Sequence, residues 1–181
     1  ALGISRAHFC GLSLGGMTGM WLGAHAPDIV QSLILCCTSA YLPPVDLWNA
    51  RITHVASKGM ESIADVVLSR WFTATSIESE MATIDVVREQ LVSTSSTGYI
   101  ACCAAIRDMD LRRHLKGIQI PGLVIAGAED LATPPDHGRF IAKEIPDCHY
   151  VEIEGAAHLS NIEQANKFNG VLSEYLRKQG I

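Results

Sequence analysis

Phe9-Cys10-Gly11-Leu12-Ser13-Leu14-Gly15-Gly16-Met17 is the stretch on which the fold turns. Within it, Gly11 to Gly15 match G-x-S-x-G. With Gly and Ser each near 7% of residues, chance gives a chain of this length such a match with probability on the order of 0.06. The neighbouring sequence therefore decides. Apolar Ala7-His8-Phe9-Cys10 runs in as a strand over residues 6–10, and Met17 to Ala26 runs out as a helix over residues 14–26, stopped at Pro27-Asp28. A strand-turn-helix corner holds a serine at the apex of a strained turn, its hydroxyl exposed above the sheet. Glycines on both sides let backbone and helix approach without an intervening Cβ. The helix N-terminus favours negative charge developing there. Ser13 is the candidate nucleophile; the plain alternative is a serine in a Gly-rich loop.

A nucleophilic serine needs a base, and the base an orienting acid; after such a corner the chain order is Ser, Asp or Glu, His. Further strands are expected over residues 31–37, 120–126 and 149–153, the third of them an apolar run of the buried parallel kind. That run ends in Gly127-Ala128-Glu129-Asp130, so Asp130 lies just past a strand's carboxyl end, where functional groups of open sheets gather. The strand over 149–153 leads through Glu154-Gly155-Ala156-Ala157 to His158. Ser13, Asp130 and His158 form the candidate triad. Glu129 is a rival acid, Asp130 alone could be a turn aspartate, and His158 alone a surface-loop histidine. Thr133 is expected to cap a helix with Pro134 at its first position. Ser160 with Glu163 reads as a capping box opening a last helix that ends in Arg177-Lys178. Repeated strand-helix alternation predicts a parallel sheet.

Between Pro43 and about Lys116 the alternation stops. Leu47 to Ser57 and Met60 to Trp71 read as helices, and Thr75 with Glu78 starts a long helical pattern through Met81, Ile84, Val87 and Leu91. The chain divides into residues 1–42, an all-helical insertion over 43–116, and residues 117–181.

The sequence resembles the 3-oxoadipate enol-lactonases of the α/β-hydrolase fold, enzymes of the β-ketoadipate route of aromatic breakdown. Phe9 to Met17, Arg70-Trp71-Phe72-Thr73, Gly98 to Asp110, Leu123 to Gly127, Ala132-Thr133-Pro134-Pro135 and His158 to Gln164 carry the likeness, in order over nearly the whole chain. The corner and strand motifs are common to many α/β-hydrolases; the Arg-Trp-Phe-Thr and Gly-Tyr-x-x-x-Cys-x-Ala-Ile segments are narrower. The resemblance implies a mostly parallel sheet with a helical cap that selects substrate, serine-dependent opening of a lactone, and no cofactor or metal. It implies an oxyanion hole in which the Leu14 backbone N–H is one donor. Members of the family carry further residues ahead of the corner, building the first strands and a loop that gives the second donor. This sequence, which begins Ala1-Leu2-Gly3-Ile4, therefore reads as the C-terminal part of a longer enzyme. The family's substrate bears a carboxylate, so a cation should face the pocket. Arg51, Arg70, Arg88 and Arg107 are the cap candidates, each with the alternative of a solvated helix residue. Trp71 suits a flat lactone ring, though core packing would also account for it; Trp71 and Arg70 are the expected substrate contacts.

Composition agrees. At 48% hydrophobic and 18% charged residues, the 181 residues can fill a core. A net charge of −5 without a Lys/Arg run argues against a nucleic-acid partner, and no apolar stretch reaches membrane-spanning length. The six cysteines, with adjacent pairs at Cys36-Cys37 and Cys102-Cys103, have neither disulfide-framework nor zinc spacing and suit buried thiols of a cytoplasmic protein. Cys10, three residues before Ser13, is expected to pack inward at a strand end, with the alternative of a second nucleophile. The expected partner is a small carboxylate-bearing lactone, with no nucleic acid or membrane. Other readings are a different esterase, a carbon–carbon bond hydrolase, a proline-type aminopeptidase (for which no acidic cluster stands out), or a slow-turnover ligand receptor on this fold.

Overall fold

The computed structural model describes residues 3–180; Ala1, Leu2 and Ile181, the outermost residues of the 1–42 and 117–181 segments, lie outside them. Four strands, β1 (Ala7–Leu12), β2 (Val30–Cys36), β3 (Gly122–Gly127) and β4 (Cys148–Ile153), form one parallel sheet in sequential order. The helices are α1 (Leu14–His25), α2 (Val45–Lys58), α3 (Ala64–Trp71), α4 (Ala74–Ser79), α5 (Met81–Ser93), α6 (Ser96–Asp108), α7 (Pro135–Glu144), α8 (Ser160–Glu163) and α9 (Ala165–Lys178). The register Leu12–Cys36 and Cys36–Ile125 aligns the carboxyl ends, so the chain after β1, β2 and β3 emerges along one edge.

Alternation along the strands sets the layers. Leu33, Leu35 and Val124 point to one face, where Met17 and Met20 of α1 and Ile141 of α7 cover them. Ile34, Cys36, Leu123 and Ile125 point to the other, against Phe168 and Tyr175 of α9. With both faces covered, β2 and β3 read as continuous apolar runs. Each such side chain, fully buried, contributes about 1.5–3 kcal/mol. The expected strand over 120–126 begins only at Gly122 because Pro121 has no N–H to donate; its carbonyl instead accepts from the Leu33 N–H at 2.9 Å.

Helices α2 to α6 lie between β2 and β3, in the segment expected to be helical. The insertion has its own core: Val55, Met60, Ala64, Val67 and Leu91 in one cluster, Leu68, Phe72 and Val87 in the next. The chain leaves and re-enters the sheet side by side, Tyr41 bridging Asp110 and the Leu111 N–H reaching the Ala40 carbonyl at 2.8 Å.

Several local expectations are corrected. The pattern from Thr75 is two helices, because Thr73 is the N-cap of α4, accepting from the Ser76 N–H, and the chain turns at Glu80 before α5. Met60 to Ile63 is a 3-10 turn ahead of α3 rather than part of it. The last helix breaks at Gln164 into α8 and α9. Cys10 does not pack inward but is exposed on β1, whose one sheet neighbour among the described residues is β2. The adjacent Cys36 thiol brings the Cys10 thiol down to about 7, against the opposing effect of partial burial. Thiolate is the reactive form, so iodoacetamide at pH 7.5 should modify Cys10 before any other cysteine, read by peptide mass spectrometry; earlier labelling of Cys102, which is also exposed, would contradict this. Among the described residues no helix is long and apolar enough to cross a membrane.

Candidate active site

Ser13 stands between β1 and α1 with φ 55° and ψ −116°, a backbone state unusual for a non-glycine residue that costs about 1–3 kcal/mol. Three bonds hold it there. Its N–H donates to the Cys36 carbonyl at 2.8 Å, and its carbonyl accepts from Thr38 Oγ1 at 2.7 Å and the Met17 N–H at 3.1 Å. A Cβ on Gly11 would lie 2.3 Å from the Gly15 carbonyl carbon, so the corner can close this tightly only over glycine. The second steric requirement falls on Gly16, not Gly15. A Cβ on Gly15 would meet nothing within 4 Å, whereas one on Gly16 would lie 2.6 Å from Thr38 Cβ. Leu14 opens α1 beside Ser13 and lines the same cavity; its N–H belongs to the helix's first turn, where no intrahelical acceptor exists.

The loops after β3 and β4 are laced together. The Ala128 N–H reaches the Ile153 carbonyl at 3.0 Å and the Glu129 N–H the Ala156 carbonyl at 2.9 Å. They approach so closely that a Cβ on Gly127 would lie 2.0 Å from the Ala157 carbonyl oxygen. Asp130, not Glu129, meets the imidazole: His158 Nδ1–H donates to Asp130 Oδ2 at 2.8 Å, both side chains almost completely buried. A carboxylate can only accept, which puts the proton on Nδ1 and leaves Nε2 as an acceptor. Asp130 Oδ1 also accepts from the Ala132 and Thr133 N–H groups at 2.7 and 2.9 Å, and Oδ2 from Thr133 Oγ1 at 2.8 Å. Four donors offset the cost of burying the charge. Thr133 is thereby spent on Asp130, and the helix expected to start from it begins at Pro135 with Pro134 as N-cap. An Asp three residues before a Thr is the signal that could have shown this.

Ser13 and His158 line one largely apolar cavity of about 450 Å³, together with Leu14, Trp71, Arg51 and Arg70. Hydrogen bonds of His158 among the described residues run to Asp130 and Thr133, and none reaches Ser13. The Trp71 ring lies over the imidazole, centroids 6.2 Å apart at 25°. The four arginines separate. Arg88 pairs with Asp65 and Glu61, and Arg107 with Asp108 and Asn49, away from the cavity. Arg70 lines the cavity while donating to the Leu131 carbonyl at 2.7 Å. Arg51 lines it too, its guanidinium 5.2 Å from the Trp48 ring centroid, in no ion pair among the described residues. Glu129 instead borders a second, polar cavity with Thr73 and Glu163. The sequence reading missed His137, another cavity residue whose Nδ1 is buried without a hydrogen-bond partner among the described residues; burial pushes its imidazole toward the neutral form. Buried Cys37 is pushed up to about 11 by burial, which leaves it a poor nucleophile at neutral pH.

A serine on a tight strand-helix corner, a carboxylate-imidazole pair on later strand ends and a helical cap over them define an architecture that the family comparison matches. A model described as the alpha/beta hydrolase fold covers residues 1–165, and the chain belongs to that family. Within it, the chain is 36% identical over 177 residues to 3-oxoadipate enol-lactonase 2 of Acinetobacter baylyi and 34% identical to 3-oxoadipate enol-lactonase 1 of the same organism, matching 98% of this chain and 66% of each relative. The crystal structure of the enol-lactonase from Burkholderia xenovorans matches with a TM-score of 0.94 at 41% identity, over 97% of this chain and 67% of that one. The chain thus spans about two thirds (66%) of the length of the curated relatives it matches.

Proposed function

We propose that this chain carries the nucleophile, base, acid and cap of a serine hydrolase that opens a carboxylate-bearing enol-lactone, 3-oxoadipate enol-lactone to 3-oxoadipate, in aromatic-compound catabolism. The observation behind it is the buried Asp130–His158 pair in one cavity with Ser13, walled by apolar side chains and two arginines. Similarity to the enol-lactonases supports the choice of substrate. Ser13 Oγ attacks the lactone carbonyl as His158 Nε2 takes its proton, while Asp130 holds the ring in its working tautomer. The tetrahedral oxyanion accepts from the Leu14 N–H; one such donor typically supplies about 2.7–4 kcal/mol. The ring C–O bond breaks, His158 returns the proton to the departing enol oxygen, and the enol ketonises. Water, deprotonated by His158, attacks the acyl carbonyl; the bond from that carbon to Ser13 Oγ breaks, His158 returns the proton to Oγ, and the acid leaves. Residues 43–116 form the cap domain of this enzyme, between core segments 1–42 and 117–181, and the cytoplasm, where its thiols stay reduced, is its proposed setting.

Arg51 gives the substrate assignment an experimental handle. Its guanidinium, in no ion pair among the described residues, would meet the lactone's carboxylate in a charge-assisted bond worth about 1.5–3 kcal/mol. Arg51→Met keeps much of the apolar stem, and should raise KM for the carboxymethyl enol-lactone roughly 10- to 100-fold while sparing a neutral p-nitrophenyl ester. The unchanged enzyme should prefer the enol-lactone; equal or reversed preference in steady-state assays would favour a general esterase.

A further inference from the structure

Glu163 closes α8, and its two carboxylate oxygens serve different parts of the molecule. Oε1 accepts from the Thr73 N–H at 2.8 Å and Thr73 Oγ1 at 2.9 Å; Oε2 accepts from the Ala157 N–H at 2.6 Å. Thr73 follows Trp71 and Phe72 where α3 passes into α4, and Ala157 directly precedes His158. Beside this contact the Leu159 N–H donates to the Trp71 carbonyl at 3.0 Å, and the Trp71 ring covers the imidazole. Residues 71–73 of the cap and 157–159 of the histidine loop are therefore fastened along their length, with one carboxylate supplying three of the four bonds. A carboxylate can accept on both sides at once; an amide of the same size must turn an NH₂ toward one of the two N–H donors. This use of Glu163 replaces the capping box expected with Ser160, whose hydroxyl lies 3.2 Å from the Cys37 sulfur.

We propose that Glu163 is a positioning residue that fixes the catalytic histidine to the cap, so that the imidazole is in register with Ser13 only while residues 71–73 are docked on the histidine loop. The proposal rests on the assignment of His158 as base. It adds that the cap is a mechanical part of the base's placement as well as a wall of the cavity.

The test uses the full natural chain. Glu163→Gln should lower kcat roughly 10- to 100-fold, as small misplacements of catalytic groups do, with KM changed less than about threefold and Tm by only a few degrees. Adding Thr73→Val to Glu163→Gln should cost less than the product of the two single effects, because both remove the same contact. The low-field proton NMR resonance of His158 Nδ1–H should shift or broaden in both single variants. That signal needs no turnover, so it stands even if Ser13→Ala, run alongside, retains activity and overturns the hydrolase reading. If Glu163→Gln does not fold, Thr73→Val alone decides, with a severalfold fall in kcat and the same change in resonance. An unaltered resonance, kcat within about twofold of the parent, or multiplicative effects in the double variant would overturn the proposal.

Discussion

Ser13→Ala in the full natural chain should lower kcat by roughly 10⁵- to 10⁶-fold, the loss expected when a serine nucleophile is removed from a working triad. The fold should survive. Alanine and serine suffer alike at φ 55°, and the bonds that hold the corner use the Ser13 backbone rather than its hydroxyl. Tm should therefore stay within a few degrees and lactone binding should persist. Steady-state turnover and thermal unfolding on the same preparation check both halves. An alanine variant that keeps more than a few per cent of kcat would remove Ser13 from the role of nucleophile. A large fall in Tm would show that activity was lost through unfolding instead.

Gly127→Ala should also lower turnover sharply, although Gly127 is not among the residues lining the cavity. Its added methyl would sit 2.0 Å from the Ala157 carbonyl oxygen and 2.7 Å from that of Ala156. These are main-chain atoms and cannot swing aside as the tip of a side chain can. Overpacking of this kind costs about 1–3 kcal/mol or more, which for a domain of this size lowers Tm by about 2–12 °C. Relief can come only by pushing the histidine loop away from the end of β3. That moves His158 relative to Asp130 and Ser13, so kcat should fall at least ~100-fold. Gly15→Ala is the control: it adjoins Ser13, but its methyl meets nothing within 4 Å, and alanine suits a helix better than glycine. Its Tm should be unchanged or slightly raised. Equal damage from the two substitutions, measured by thermal unfolding and turnover, would show that the approach of the two loops is not what glycine at 127 permits.

These contrasts show which parts of the molecule are legible in the residues. The strands and the corner at Ser13 are, because period and punctuation act over neighbours: apolar runs end in Gly127-Ala128-Glu129-Asp130 and in Glu154-Gly155-Ala156-Ala157-His158, and parallel packing brings such ends to one edge. Local patterns mislead where a side chain has a better partner far away in sequence. Glu163 looks like the far half of a capping box but binds Thr73, 90 positions earlier. Thr133 looks like a cap but serves Asp130. The four cap arginines are alike in sequence, and only packing separates Arg51 and Arg70 from Arg88 and Arg107. Cys10 has the apolar neighbours of a packed residue, yet it lies on a strand with a neighbour on one side alone among the described residues.

The insertion's private core has an evolutionary consequence. Val55, Ala64, Val67 and Leu91 bury one another without help from the sheet, so walls such as Trp48, Arg51 and Cys102 can drift while the strand ends keep their spacing. Selectivity and chemical competence are then inherited as nearly separate traits. The segment around Thr73 and Trp71 is the exception, because it answers to both. Directed evolution of new substrate ranges should therefore accumulate changes in α2 and α6 and leave residues 71–73 almost untouched.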